Sequence, residues 1–162
     1  MKKILLILLI ILPAYISMHL YLLNKKSFLC PIAYHRDMII RVDSGGDGFF
    51  AADRSGNRLH QGVDLLADIG EPVLAPRSGW VTAAKGSKGM GNFIVIRHSA
   101  SIATIYGHLS RIDVKKGDFV RQGQVIGAVG KTGNARGRII EAHLHFEVRK
   151  GGVPQDPLEY LE

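Results

Sequence analysis

Four imidazoles and two carboxylates fall within three short segments: His60-Gln61-Gly62-Val63-Asp64, Tyr106-Gly107-His108-Leu109-Ser110 and His143-Leu144-His145-Phe146-Glu147. Alternate side chains of a β-strand share a face, so on a strand His143 and His145 point one way while Leu144 and Phe146 point to an apolar side. Such a pair suits metal binding or proton transfer, although HxH on a strand also occurs in cupins and other metal-binding β-proteins. His60 and Asp64 are four residues apart, a spacing that puts them on one face of either a helix or a strand; Gly62 between them argues against the helix. HxxxD taken alone is weak and usually marks a surface pair or a cap.

The combination says more. Two histidines and one aspartate give a divalent zinc three ligands and leave a fourth tetrahedral position for water, the pattern of hydrolytic rather than structural sites. Structural zinc sites favour four ligands rich in cysteine, and Cys30 is the one cysteine of the chain. The HExxH signature of helix-borne zinc proteases is absent.

The elements that must position these groups read as strands. EPVLAP, GWVTAA, NFIVIRH, SIATIYGH, DFVRQG, QVIGAVG and HLHFEVR are short runs separated by glycine-containing turns, with no long 3.6-residue apolar period among them. NFIVIRH and SIATIYGH form an expected hairpin that delivers His108 at the end of its second strand. The expected fold is mainly β, a compact antiparallel sandwich-like domain over residues 44–162. Residues 24–43 read as a tether, with one strand in MIIRV, and the domain begins close to Met38.

The chain opens differently. Ile4 to Leu23 is an uncharged run between lysines, and twenty such residues at 1.5 Å each span a hydrocarbon core about 30 Å thick. The run exceeds the apolar core of about 7 to 15 residues usual in a cleaved signal peptide and lacks a small-x-small cleavage site. Residues 1–23 are therefore expected to be an uncleaved membrane anchor, a single transmembrane helix; cleavage would make the protein secreted. Leu29 before Cys30 departs from the small residue of lipidation sites.

A length of 162 residues allows one ordinary domain plus an appendage. The formal charge of +7 suits any polyanion, including anionic lipid and acidic wall polymers. No basic tract with interleaved aromatics and no helix-turn-helix or zinc-finger spacing is present, which argues against nucleic acid.

The segments HQGVDLLADIGEPVLAPRSGWV, GNFIVIRH with YGHLS, VKKGDFVRQGQVIGAVGKTGN and HLHFEVRKGG with DPLEYL resemble, in order, the lysostaphin/LytM-like zinc endopeptidases of peptidoglycan. The likeness runs from about Arg54 to Leu161. It implies one zinc held by His60, Asp64 and His145, with His108 and His143 as the two non-ligand histidines of catalysis, serving as general base and oxyanion stabiliser. It also implies peptide cross-links of bacterial peptidoglycan as substrate and a catalytic domain outside the cytoplasmic membrane. A non-catalytic wall-binding protein, or an activator of another wall hydrolase, is the alternative on the same domain, and a regulatory partner is left open. GDFVRQGQVIGAVG is also similar to the hammerhead turn of biotinyl and lipoyl carriers, but the carrier's lysine is not evident. The inserted stretch GNARGRIIEA departs from the family pattern beside the site. His98, Tyr106 and Glu147 read as packing or structural groups.

Overall fold

A computed structural model describes residues 13, 28–33, 38–54 and 58–161. The expected anchor lies outside the described residues apart from Pro13, and no helix among the described residues is long and apolar enough to cross a membrane.

The alternating runs become antiparallel strands. Gly79–Ser87 pairs with Gly91–Arg97, that strand with Ile102–Leu109, and that in turn with His143–Lys150. Phe119–Val120 extends the sheet at the Gly79–Ser87 side, while Val63–Leu66 and Val153–Gln155 share the far edge of His143–Lys150. Arg111–Ile112, Val125–Ala128 and Pro72–Leu74 form a second, three-stranded antiparallel sheet. The fold is mainly β, as the seven runs predicted.

His143–Lys150 is buried on both faces until its last turn. Leu144, Phe146 and Val148 enter a core shared with Val63, Leu65, Ile94, Ile96 and Tyr106 and with Val73, Ile126 and Val129 around the smaller sheet. Burying a side chain as large as Phe146 is worth roughly 2 to 3 kcal/mol, so this face fixes the strand firmly. His143, His145 and Glu147 consequently occupy the opposite face, where they are also buried.

Residues 28–33 and 38–43, read from sequence as a tether, pack against this core. Phe28 and Ile32 are buried, and Phe28 meets His98 and Tyr160 edge-on. Leu66 N–H donates to Ile39 O at 2.9 Å and Arg41 N–H to Asp64 O at 2.9 Å, so this stretch lies along the free edge of Val63–Leu66. That edge was open for pairing, which a one-dimensional reading does not reveal. VDLL is hard to read as a strand because it is only four residues long and its polar residue, Asp64, is buried with Val63 and Leu65 rather than turned to solvent.

Candidate metal centre

Strand register decides which side chains meet. His145 stands opposite Asp64 on one neighbouring strand and Gly107 on the other. A Cβ at Gly107 would lie 3.3 Å from His145 Cβ and 2.9 Å from Met90 Cε, so a side chain there would crowd the imidazole. A Cβ at Gly62 would lie 2.2 Å from Phe146 O, closer than any contact allows. Glycine lets the chain pass this near the strand while it carries His60 to the site.

His60 Nε2 is 3.1 Å from Asp64 Oδ1, His145 Nδ1 is 2.8 Å from the same oxygen, and the two imidazole nitrogens are 3.0 Å apart. The far atoms of these groups are occupied. His60 Nδ1–H donates to Phe49 O at 2.8 Å and His145 Nε2–H to Glu147 Oε1 at 3.1 Å. Those bonds leave the facing nitrogens with their lone pairs turned toward Asp64 Oδ1. Three electron pairs converging this closely, in a buried site, need a proton or a metal ion between them. Zinc–nitrogen bonds of about 2.0 Å in a tetrahedron put ligand atoms roughly 3.3 Å apart, so the donor set fits such an ion with little movement. His60, Asp64 and His145 thus form a group that could hold a metal.

The protonation balance carries the same message. Burial opposes charge on His145, yet the hydrogen bonds and charges of Asp64 and Glu147 raise its pKa to about 9. Burial likewise works against ionised Asp64, and the hydrogen bonds from His145 and His60 overcome it, holding the carboxyl far below the usual carboxylate range. The pocket favours positive charge at this point.

His108 and His143 complete the wall. His108 Nδ1–H donates to Thr132 O at 2.9 Å and His143 Nδ1–H to Glu141 O at 2.7 Å, which leaves Nε2 of each ring as the available nitrogen. The rings meet edge-on with centroids 5.1 Å apart, and His143 Nε2 is 3.9 Å from Asp64 Oδ1. His108 adopts a φ of 63°, a left-handed conformation rare for a bulky residue. Hydrogen bonds His108 N–H to Met90 O and Thr132 N–H to His108 O hold it there. Burial, then the charges of His145 and His143, lower the His108 pKa to about 4. Burial also lowers His143, against the attraction of Asp64. Both rings are therefore neutral at neutral pH.

The structure brings together all five residues singled out in the sequence and adds four around them. Asp64 Oδ2 accepts from Arg41 Nη2 at 2.9 Å and from Arg54 Nη2 at 3.1 Å, which leaves Oδ1 to face the site. Glu147, read as a structural or solvated charge, is buried and supports His145, while Arg149 Nε donates to its other oxygen at 2.7 Å. The i, i+2 alternation that paired His143 with His145 extends to Glu147 and Arg149, and would have found both. Arg41 and Arg54 carried no comparable signal, since their approach to Asp64 is set by tertiary packing. His98 and Tyr106 are structural as expected: His98 Nδ1–H donates to Ser78 O, and Nε2 meets Thr104 Oγ1, itself bonded to Tyr106 OH. The five residues open onto a cleft of about 780 Å³, and Ile140 and Asn134 of the inserted stretch form part of its wall.

This arrangement is a candidate metal site on an antiparallel β scaffold. Residues 58–157 match Peptidase family M23, and the chain belongs to that family. It is 40% identical over 115 residues to a lipoprotein NlpD/LppB homolog of Pseudomonas aeruginosa, covering 70% of this chain and 36% of the relative. It is 43% identical over 101 residues to the DD-carboxypeptidase/endopeptidase Mpg of Neisseria meningitidis, covering 62% of this chain and 22% of the relative. The chain thus spans about a third or less of the length of these relatives. The catalytic domain of the antimicrobial peptidase lysostaphin from Staphylococcus simulans superposes with a TM-score of 0.61 at 34% identity, over 71% of this chain and 89% of that one.

Proposed function

We propose that this protein is a zinc-dependent endopeptidase that hydrolyses peptide cross-links of bacterial cell-wall peptidoglycan. In this reading residues 1–23 anchor it in the cytoplasmic membrane and the domain works on the outer side, or free of the membrane if that segment is cleaved. The observation that carries the reading is the intact set of five side chains, with three donors converging on one point and two neutral imidazoles beside it. One relative at 43% identity, named a DD-carboxypeptidase/endopeptidase, supports the choice of chemistry.

His60 Nε2, Asp64 Oδ1 and His145 Nδ1 would hold zinc, which when bound polarises a carbonyl and lowers the pKa of water to about 7. The rest falls to the chain. His108 and His143 each present an unprotonated Nε2, held in that tautomer by a backbone carbonyl at Nδ1, so either ring can accept the proton of the attacking water. A ring that has taken a proton becomes an Nε2–H donor, able to stabilise the oxyanion or to protonate the leaving amine. The rings are themselves buried, and burial strengthens each of these interactions.

The competing reading, a wall-binding protein or activator of another hydrolase, needs none of these five groups in working geometry. Incubating the zinc-loaded protein with purified sacculi and separating the products by mass decides between them. Released peptides with new termini are expected and show which bond is cut. Sacculi left intact would sink the enzyme reading.

A further inference from the structure

We propose that Arg41 and Asp43 are positioning residues that hold Asp64 and His143 in register with one another through the backbone of Glu141. The inference rests on the reading of Asp64 as a metal ligand and His143 as a catalytic base.

A chain of hydrogen bonds supports it. Arg41 donates Nη2–H to Asp64 Oδ2 at 2.9 Å, and its Nη1 pairs with Asp43 Oδ1. Asp43 Oδ2 accepts Glu141 N–H at 2.7 Å, and Glu141 O accepts His143 Nδ1–H at 2.7 Å. The two ends of the chain lie side by side, with His143 Nε2 3.9 Å from Asp64 Oδ1, beyond hydrogen-bond reach. Asp43 Oδ1 also accepts Gly45 N–H at 2.7 Å, which pins the carboxylate to its own hairpin.

Each link has a task. His143 takes its tautomer and ring direction from Glu141 O, yet Glu141 belongs to the inserted stretch, where neighbouring Ile139 is 66% exposed. A carbonyl in such a stretch is free to swing unless its residue is held elsewhere, and Asp43 holds it by the N–H. Arg41 makes the arrangement common to both sides, because one planar guanidinium donates to Asp43 and Asp64 at once. Arg41 is 3% exposed and Asp64 likewise 3%. Buried ion pairs gain little net stability, since desolvation offsets most of their attraction, so stability alone gives no reason for this cluster. Geometry does: misplacing a catalytic group by about 1 Å can cost on the order of a hundredfold in rate.

The test uses the 162-residue chain with two conservative substitutions. Asparagine at position 43 offers one carbonyl oxygen and can serve Arg41 or Glu141, not both. Asp43→Asn should keep zinc affinity within about threefold by chelator competition while the His143 Nδ1–H resonance, protected and tautomer-specific in the parent by ¹⁵N-edited NMR, is lost. Turnover of a cross-linked muropeptide dimer should fall roughly 10- to 100-fold in kcat with KM unchanged, the range expected for outer partners of a metal site. Lysine at position 41 cannot bridge both carboxylates, so Arg41→Lys should weaken zinc binding by roughly 10- to 100-fold. An Asp43→Asn protein with the parent His143 signal, or an Arg41→Lys protein with parent zinc affinity, overturns the proposal. Asp43 touches none of the three donors, so its variant reports on the His143 arm even if Arg41→Lys fails to fold. The NMR and metal readouts do not depend on the substrate: a parent chain that leaves muropeptides uncut while both signatures hold counts against the proposed activity alone.

Discussion

The hairpin of Gly91–Arg97 and Ile102–Leu109 carries a buried histidine at each end, and the two are built for opposite purposes. His98 has both ring nitrogens bonded inside the protein, to Ser78 O at 2.9 Å and to Thr104 Oγ1 at 2.8 Å. His108 has one, at Thr132 O, while its Nε2 makes no hydrogen bond among the described residues and borders the cleft. Their exposures, 7% and 9%, are nearly equal. Burial therefore does not separate a structural histidine from a working one. The unspent nitrogen does, because a ring with no free lone pair cannot take a proton or a metal.

The sharpest way to break this contrast is within the site. His145→Ala removes a donor and should abolish both metal and hydrolysis, as metal analysis and muropeptide cleavage would register. His143→Ala should lower cleavage by roughly 10² to 10⁴ while zinc stays bound. Equal zinc loss in both variants would show that the division into ligands and proton-transfer groups is wrong. At the other end of the hairpin, His98→Phe keeps an aromatic ring, somewhat larger, but leaves Ser78 O and the Thr104 hydroxyl without their partner. It should cost about 1 to 3 kcal/mol in urea unfolding and leave zinc affinity unchanged. A matching loss of zinc affinity would erase the distinction between the two ends.

The smallest effect is on pH dependence. Burial, chiefly, lowers the His98 pKa from the ordinary 6.5 to about 4. The unfolded chain therefore binds the extra proton between those values, and stability, complete above 6.5, declines as pH falls toward 4. His145, raised to about 9 in the absence of metal, works in the other direction: its contribution is complete below 6.5 and is lost as pH rises through 9. Metal-free protein should thus show a stability maximum near pH 6.5 in urea titrations, and His98→Phe should make the acid side shallower while leaving the share of His108, also lowered to about 4. An acid limb unchanged by this substitution would assign it wholly to other groups.

Much of the domain was legible in its sequence. The seven runs fall on Pro72–Leu74, Gly79–Ser87, Gly91–Arg97, Ile102–Leu109, Phe119–Val120, Val125–Ala128 and His143–Lys150 because turns and alternation are local properties of the chain. Val63–Leu66 escaped because a four-residue run is too short to stand out, and its one polar residue, Asp64, is buried rather than turned to solvent. Phe28 and Ile32 escaped as well, since apolar residues in a charged, irregular stretch look like linker until a core is present to receive them.

The five site residues could be named from spacing and family likeness. His143 and His145 share a face by the geometry of a single strand, and His60 and Asp64 by that of a short loop and strand. What the chain alone could not give was their convergence. That His145 stands opposite Asp64 is a matter of register between strands 81 residues apart. Arg41 and Arg54 likewise reach Asp64 only after folding, from 23 and 10 residues away. Sequence determined the kinds of donor and their local faces, because those follow from the period of the backbone. Tertiary structure decided which nitrogen each imidazole spends on the protein and which it keeps, because hydrogen-bond partners are supplied by neighbours in space.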